Sequence, residues 1–338
     1  MKKIIYLPFE ELPQRYTKMW NDSIISMLSP SDIVVWGKAT TDTIEAGEFL
    51  DTYGTIAYKS SQMGNVARSF QHKKIQDGDI FFVPDIFYPS LESIRYMAEL
   101  SDIKVKIVAF NHAGRADEDD FVQKLNSWSD GQEKVWHDMC DMVMVGSEYQ
   151  KERVQKKFHH DNVKVTGAVW SSDWMQKNGY KADHKKQPYV IYPHRPSKEK
   201  QFDLFLDIAN NNPSLHFVIT SCGGNRLLGV PLPKNVEYRF SLSKKEYYDI
   251  FSKAECYLST AKQETFGYTL QEAIYFGCKI IVPDYACYRE YAAQDSILTF
   301  DEMRKRDFLT QVYESRNLCQ SKQHTDNAGD IIKIIKTI

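Results

Sequence analysis

The sequence lacks a long apolar run, paired cysteines and a large net charge, and each absence excludes a class of protein. Its first apolar stretch is interrupted at Pro8 and followed by Glu10 and Glu11, so we interpret it as a β-strand and not as a signal peptide. No other stretch approaches the roughly 20 apolar residues that span a bilayer. The six cysteines show no CxxC pair, which is typical of reduced thiols and predicts a cytoplasmic protein.

The charge balance excludes a strong global field. The 43 basic and 45 acidic residues leave a formal net charge of -2, unlike the basic surfaces of non-specific DNA or membrane binders. A local basic patch stays open. The acidic run at residues 117–120 has no histidine partners and precedes a predicted helix. We therefore expect a solvated helix start there, no metal site and no metal cofactor.

What the sequence does contain is an alternation of short apolar strands with amphipathic helices, the pattern of parallel sheets covered by helices. The first half predicts strands at residues 3–7, 33–36, 80–83, 105–110 and 142–145. Three of these strands run into polar loops, at Asp85, His112 and Ser147. In an open α/β sheet such loops line the ligand crevice.

The same alternation restarts after a lysine-rich stretch at residues 178–187. It predicts strands at 189–192, 216–220, 256–258 and 279–282, and helices at 199–210, 244–254 and 268–276. Ser243 and Glu246 form a capping box at the start of the middle helix. Residues 301–338 predict two helices with a polar break near 321–326. With 338 residues, this predicts two α/β domains joined near residues 170–186.

Residues 262–283, KQETFGYTLQEAIYFGCKIIVP, are the most informative segment. A loop carries Glu264, Gly267 opens a helix, and Glu272 lies one to two turns into that helix. A helix start offers free N–H groups and the positive end of the helix dipole to a diphosphate. The two glutamates can accept hydrogen bonds from ligand hydroxyls on either side of it. By spacing alone, a plain strand-to-helix turn with two solvated glutamates is an equally good interpretation.

This segment resembles the signature of retaining glycosyltransferase family 4: two glutamates with seven residues between them, an aromatic-Gly pair in between, and a helix that ends at Gly277. The resemblance implies that Glu264 holds the transferred sugar, that the backbone at Phe266, Gly267, Tyr268 and Thr269 contacts the donor, and that Glu272 holds the ribose. Thr265 replaces a glycine of the family pattern.

A second element follows the predicted strand at residues 189–192, in the stretch PHRPSKEKQ. The family has an Arg and then Glu-Lys-Gly here, and its basic residues neutralise the donor diphosphate. Carried over, that role falls on Arg195 and Lys200, with Gln201 in place of the glycine. An Arg fork and a Lys point charge suit a pyrophosphate leaving group. Taken alone, the stretch is better interpreted as a solvated basic loop, but its order relative to the glutamate pair favours the diphosphate role.

Weaker correspondences place Gly223, Arg239 and Phe240 near the nucleotide and His112 near the donor sugar. The resemblance covers residues 188–300 well and the N-terminal half only by architecture. It implies the GT-B fold, with two Rossmann-like parallel-sheet domains facing across a cleft: residues 1–170 for the acceptor, 187–318 for the nucleotide sugar, and a helix in 319–338 that packs back on the first domain. It also implies no metal or other cofactor.

The implied reaction moves a sugar from a UDP- or GDP-sugar, UDP being the commoner donor, to an acceptor hydroxyl with retention. The N-terminal loop FEELPQRYTKMW departs from the family, so we predict acceptor contacts at Glu11, Arg15, Tyr16, Asp85 and Arg115. The chain is similar to bacteriophage glycosyltransferases that modify hydroxymethylated pyrimidines in DNA, which implies the host-cell cytoplasm. Basic and aromatic side chains for DNA are Arg15, Lys18, Trp20, Arg68, His72, Lys73, Lys74 and Arg115.

Other interpretations stay open. The acceptor can instead be a small molecule, a cell-envelope component or a tRNA nucleoside. The chain can also be a non-catalytic nucleotide-sugar binder, or an epimerase that acts on the nucleotide sugar without an acceptor. Released nucleotide and modified acceptor are the products that distinguish these functions.

Overall fold

The computed structural model describes residues 2–12, 15–39, 52–182, 185–221, 230–307, 309–310 and 326–338. These residues form two compact units. The first holds the described residues up to Ser171 together with Asp326–Ile338, and the second holds those from Ser172 to residue 310. Each unit has its own parallel sheet and its own core of buried apolar side chains.

A six-stranded parallel sheet forms the centre of the first unit. Its strands are β1 (Ile4–Tyr6), β2 (Ile33–Val34), β3 (Ile80–Val83), β4 (Lys106–Asn111), β5 (Met142–Val145) and β6 (Val163–Val165). They lie in the order β2-β1-β3-β4-β5-β6. The accompanying helices are α1 (Thr17–Ile25), α2 (Thr52–Gln71), α3 (Glu92–Leu100), α4 (Trp128–Met139) and α5 (Glu148–Phe158). β3 and β5 are buried at every position, which explains their continuous apolar runs.

The loops after β3 and β4 leave the sheet side by side. Val83 pairs with Ala109 across these two strands, and the backbone N–H of Ile86 donates to the carbonyl of Phe110 at 2.8 Å. Asp85 and His112 follow the two strand ends and therefore lie in neighbouring loops at the carboxyl edge of the sheet.

The second unit is built on another six-stranded parallel sheet. Its strands are β7 (Gln187–Tyr192), β8 (His216–Thr220), β9 (Val236–Arg239), β10 (Ala254–Leu258), β11 (Lys279–Pro283) and β12 (Ile297–Leu298), in the order β12-β11-β10-β7-β8-β9. Its helices are α6 (Ser172–Lys177), α7 (Phe202–Asn211), α8 (Lys244–Lys253), α9 (Tyr268–Phe276), α10 (Tyr288–Tyr291) and α11 (Phe300–Met303). β7 and β10 are neighbours, so the loops that follow them share one edge of the sheet.

The last helix, α12 (Ala328–Ile335), belongs to the first unit and contacts α1 there. Its buried face consists of isoleucines and one alanine. The side chain of Asn327 fixes its start: Oδ1 accepts from the N–H of Trp170 at 3.0 Å, and Nδ2 donates to the carbonyl of Ala168 at 2.9 Å. The chain end is thereby tied to residues that follow β6.

The predicted strands are present, and the capping box of Ser243 and Glu246 is confirmed. Three strands were not predicted, namely β6, β9 and β12, because they are short and lie at sheet edges. β9 has no fully buried residue and so lacks an apolar run. The tail prediction for residues 301–338 falls largely outside the described residues. No described helix is both long and apolar enough to cross a membrane.

The expectation of a solvated acidic turn at residues 117–120 holds for Glu118 and Asp119, which are exposed, but not for the other two acids. Asp117 is 2% exposed and Asp120 is 8% exposed. Both carboxylates are turned inward to loop amides: Asp117 accepts from the N–H of Asp119 at 3.1 Å, and Asp120 accepts from the N–H of Val122 at 3.0 Å. Asp120 caps the 3-10 helix at Phe121–Lys124, whereas Asp117 accepts its bond within the preceding turn.

Candidate functional site

Lys200 and Glu264 contact each other although they are 64 positions apart in the chain. Lys200 Nζ donates to Glu264 Oε1 at 2.8 Å and to the carbonyl of Gln263 at 2.6 Å. The two side chains are 12% and 17% exposed. Within the described part of the chain, no hydrogen bond reaches the second carboxylate oxygen, Oε2. One oxygen of Glu264 is therefore held by a cation, and the other can accept a ligand hydroxyl.

Two hydroxyl groups hold the backbone at Lys200 in place. The hydroxyls of Tyr192 and Thr260 donate to its carbonyl at 2.9 and 2.6 Å. Gln201 then turns the chain with φ +48°, a left-handed conformation, before α7 begins. This conformation favours glycine, which explains why a glycine at this position suits the family pattern.

Arg195 is paired within its own loop. Its Nε and Nη2 donate to Oε1 of Glu199 at 2.9 and 2.6 Å, and the hydroxyl of Ser197 donates to the same oxygen at 2.7 Å. Although burial of Glu199 raises the pKa of its carboxyl, the bonds from Ser197 and Arg195 lower it overall. Arg195 is 34% exposed at its side chain. It is thus held in place while part of its guanidinium still faces solvent.

The start of α9 has the geometry of an anion site. Gly267 precedes the helix with φ +75° and ψ +64°, where a side chain would be strained. The first turn contains no acidic residue that would repel an anion. Thr269 lies in this turn, with Oγ1 3.0 Å from the hydroxyl of Tyr257. Free N–H groups and the helix dipole at this end can bind a phosphate group.

Aromatic packing holds the loop that leads into α9. Phe266 is 3% exposed and packs edge-on against the rings of Tyr268 and Tyr291, with centroid distances of 5.1 and 5.3 Å. The ring of Phe266 is therefore buried within this loop.

Glu272 is buried, and both of its oxygens are engaged by α8. The hydroxyl of Tyr247 donates to Oε2 at 2.6 Å, the hydroxyl of Tyr248 donates to Oε1 at 2.9 Å, and Lys244 Nζ lies 3.5 Å from Oε1. Glu272 itself is 5% exposed. The sequence did not predict these three partners of Glu272, because no residue pattern in α8 indicates that it packs against α9.

Of the remaining donor-site predictions, two lie at or just after the end of β9 and one lies outside the described residues. Arg239 pairs with Glu237, Nε to Oε1, at 2.6 Å near the end of β9. Phe240 is 44% exposed and lies 5.4 Å from the ring of Tyr238. Gly223 lies outside the described residues.

His194 is a buried residue that sequence analysis missed. It is 4% exposed and follows β7 directly before Arg195. Nδ1 lies 4.0 Å from Glu264 Oε1, and Nε2 lies 3.4 Å from the hydroxyl of Tyr257. Burial lowers the pKa of His194 far below its usual value, and the nearby cations Lys200 and Arg195 lower it further. His194 is therefore a neutral imidazole.

The first unit contains a separate cavity of about 80 Å³ at the carboxyl edge of its sheet. Of the predicted acceptor residues, Arg15, Tyr16 and Asp85 line it, together with His112. Lys59 is 7% exposed and also lines it, with Nζ 2.7 Å from Asp85 Oδ2. Lys59 lies in α2 and is far from Asp85 in sequence, so no local pattern indicated this ion pair.

The ring of His112 forms one wall of this cavity. Its Nε2 lies 2.8 Å from the carbonyl of Pro84, which can only accept, so Nε2 carries the proton. Nδ1 lies 3.4 Å from the hydroxyl of Tyr16. Burial lowers the pKa of His112, which keeps the ring neutral. Trp20, predicted to contact DNA, is fully buried behind His112 at a ring distance of 5.2 Å.

Two predicted acceptor residues do not line the cavity. Glu11 lies near Lys18, with Oε2 3.6 Å from Nζ. Arg115 points to Asp130, with Nη2 2.6 Å from Oδ2. The backbone N–H of Arg115 also donates to Oε2 of Glu133 at 2.9 Å, and burial raises the pKa of that buried carboxyl to about 8. The contacts of Arg115 with Asp130 and Glu133 fix the loop after β4.

The described residues include no group of three or more His, Cys, Asp and Glu side chains that could hold a metal ion.

Residues 175–302 match the family described as glycosyl transferases group 1. The match covers the second unit from α6 to α11, and includes Arg195, Lys200, Glu264 and Glu272. This part of the chain is therefore similar to that family.

The whole chain is similar in structure to glycosyltransferases of the GT-B fold. It matches sucrose-phosphate synthase from Thermosynechococcus elongatus at 10% identity, covering 99% of this chain and 95% of that one, with a TM-score of 0.66. It matches HepE from Anabaena, in complex with UDP and glucose, at 12% identity over 100% and 97% of the chains, with a TM-score of 0.62. It matches WaaG, a glycosyltransferase involved in lipopolysaccharide biosynthesis, at 13% identity over 98% and 99%, with a TM-score of 0.61. The predicted GT-B fold class is confirmed.

Proposed function

We propose that this chain is a retaining glycosyltransferase that moves a sugar from a UDP-sugar to an acceptor hydroxyl. The observation that carries the proposal is the contact between Lys200 Nζ and Glu264 Oε1 at 2.8 Å, in the loop that leads into α9. This contact joins a cation suited to a diphosphate with a carboxylate suited to sugar hydroxyls. The family match over residues 175–302 supports it, as does the presence of UDP and glucose in the HepE complex.

In the proposed reaction, the bond between the anomeric carbon and the diphosphate oxygen breaks through an oxocarbenium-like state. Lys200, Arg195 and the N–H groups at the start of α9 stabilise the departing diphosphate, because charge develops there. The acceptor oxygen bonds to the anomeric carbon on the face that the diphosphate leaves. The acceptor proton passes to a departing phosphate oxygen. Glu264 Oε2 accepts a hydrogen bond from a sugar hydroxyl, and this bond fixes the sugar ring during transfer.

The test is release of nucleotide from a panel of UDP- and GDP-sugars, measured with Glu264→Gln and Lys200→Met beside the wild type. We expect turnover to fall roughly 100- to 1000-fold in each variant, because Lys200→Met removes a cation that stabilises the diphosphate and Glu264→Gln removes the carboxylate charge that orients the sugar. Lys279→Met and Glu255→Gln are matched controls, because this ion pair at 3.2 Å lies in the same unit and is more exposed. Near-normal turnover in either site variant contradicts the proposal.

For the acceptor, we propose a hydroxymethylated pyrimidine in DNA. The cavity of about 80 Å³ in the first unit supports this choice, because Tyr16, Tyr58 and Tyr88 supply aromatic surface and the Lys59–Asp85 pair supplies polar groups. A duplex base must be flipped into such a pocket before it can react. The buried free thiols at Cys140, Cys256, Cys278 and Cys287 support action in the cytoplasm.

The acceptor experiment offers the protein hydroxymethylated DNA, unmodified DNA, a cell-envelope extract and tRNA, each with the preferred donor. Sugar incorporated only into hydroxymethylated DNA supports the proposed acceptor, and incorporation into another arm replaces it. Donor binding without any nucleotide release identifies a non-catalytic binder. Conversion of the donor without an acceptor product identifies an epimerase.

A further inference from the structure

The imidazole of His194 lies directly behind the Lys200–Glu264 contact. Its Nδ1 is 4.0 Å from Glu264 Oε1, the same oxygen that Lys200 Nζ contacts at 2.8 Å. A separation of 4.0 Å is too long for a hydrogen bond, so Nδ1 and Oε1 interact as an N–H dipole with a carboxylate, an interaction that is strengthened by burial. The histidine thus faces the oxygen that is held and not the oxygen that is left for a ligand.

The partners of His194 determine where its single ring proton lies. The groups that face the ring are Glu264, Lys200, Arg195, the hydroxyl of Tyr257 and the ring of Tyr192, whose centroid is 5.1 Å away. The carboxylate of Glu264 can only accept, whereas the hydroxyl of Tyr257 can donate. The proton is therefore favoured on Nδ1, and Nε2 accepts from Tyr257 at 3.4 Å.

The two nearby cations exclude a second proton on this ring. A charged imidazole would repel both Lys200 and Arg195 and would have to be desolvated at 4% exposure. It would also compete with Lys200 for Glu264. A neutral ring avoids both costs and still directs an N–H dipole at the carboxylate.

We infer that His194 is a positioning residue of the donor site, which holds the Glu264 carboxylate against Lys200 through its Nδ1–H so that Oε2 stays directed at the transferred sugar. This inference rests on the proposed function. It assigns His194 an effect on the sugar-transfer step, and no effect on the binding of the nucleotide, which Glu264 does not contact in the proposed mechanism.

Three substitutions distinguish the role of Nδ1 from the role of Nε2. His194→Asn keeps an amide N–H near the position of Nδ1, His194→Gln keeps a polar group near the position of Nε2, and His194→Leu keeps neither. We expect kcat to fall about 10-fold in the Gln and Leu variants, because both lack the N–H dipole that is directed at Glu264 Oε1. The Asn variant retains most of the wild-type kcat. The dissociation constant of UDP, which lacks the sugar, stays within about twofold in all three.

His216→Asn is the matched control, since His216 lies in the same unit, is 49% exposed at its side chain and is far from this loop in sequence. Nitrogen NMR of the His194 ring gives a second readout that does not require turnover. It should show a neutral ring protonated at Nδ1, and in Tyr257→Phe the proton should no longer be restricted to Nδ1, with a smaller fall in kcat.

Equal kcat losses in the Asn, Gln and Leu variants, or a parallel loss of UDP affinity, overturn the inference and leave the proposed function intact. A ring protonated at Nε2, or at both nitrogens, also overturns it. If the wild type turns over no donor of the panel, the proposed function and this inference are both overturned. The two failures are therefore distinguishable.

Discussion

The two carboxylate oxygens of Glu264 differ: one is bound within the protein, and the other is available to a ligand. Lys200 holds Oε1 at 2.8 Å, and Oε2 accepts no hydrogen bond from the described residues. An ion pair of two side chains that are 12% and 17% exposed contributes little net stability, because both charges lose part of their hydration. The pair is therefore better explained by orientation than by folding energy.

Gln201 is the residue at which the local backbone is strained. At φ +48° it pays the cost of a left-handed conformation, and its Nε2 donates to the carbonyl of Thr260 at 2.9 Å. We expect Gln201→Gly to be more stable than Gln201→Ala by about 1 kcal/mol, because both lose the hydrogen bond and only alanine keeps the strain. Urea unfolding of the two variants measures the difference.

Asp249, inside α8, is the control for this comparison, since glycine there should be less stable than alanine by about 1 kcal/mol. If alanine is as stable as glycine at position 201, the left-handed conformation carries no cost and the explanation of the family's glycine fails.

At the scale of elements, α8 and α9 are joined through one buried carboxylate. Tyr247 and Tyr248, adjacent in α8, donate to the two oxygens of Glu272 in α9. Lys244 lies over both tyrosine rings, 5.0 and 4.4 Å from their centroids, and adds a positive charge. This arrangement compensates the charge of a glutamate that is 5% exposed.

We predict that Tyr247→Phe combined with Tyr248→Phe lowers the free energy of unfolding by about 3 kcal/mol or more, because two bonds to a buried charge are lost. Tyr189→Phe is the comparison within the same unit: its hydroxyl donates to the neutral carbonyl of Ile250. Loss of that bond should cost about 1 kcal/mol. Equal losses in the two experiments, measured by urea unfolding, would show that the charge of Glu272 is not compensated by α8.

At the scale of the whole molecule, each unit has its own sheet and core, so pH can affect their stabilities separately. Glu133 belongs to the first unit, is 2% exposed, and has its pKa raised to about 8 by burial. The folded state therefore keeps a proton that the unfolded state loses near its ordinary pKa. Stability from this group is complete below about pH 4.5 and is lost as pH rises to about 8.

We predict that Glu133→Gln removes this part of the pH dependence. Between about pH 4.5 and 8, the wild type should lose up to ~1.4 kcal/mol per pH unit relative to the variant. Hydrogen exchange should place the loss in β3 and β4 and leave β7 and β10 unchanged. Glu148→Gln is the control, since that side chain is 59% exposed. Parallel pH profiles for the wild type and Glu133→Gln would mean that the carboxyl is ionised in the fold.

The elements of this fold were accessible from sequence where the signal is local. Buried strands such as β3 and β5 appear as continuous apolar runs, and Gly267 with the residues after it indicates a helix start suited to an anion. The edge strand β9 was missed because its residues are only half-buried. Apolar periodicity records burial, so an element with little burial leaves little trace.

The residue pattern by itself determined the two parallel sheets and the order of Lys200, Glu264 and Glu272 along the second one. Only the tertiary structure decided their partners: His194 behind Glu264, the two tyrosines on Glu272, and Lys59 on Asp85. The physical reason is range. Secondary structure depends on neighbours a few positions apart, whereas these contacts join side chains 24 to 70 positions apart. The loops after β7 and β10 share one edge of the sheet, α8 packs against α9, and α2 reaches the loop after β3. Such pairs therefore form only when the folded chain brings distant elements together.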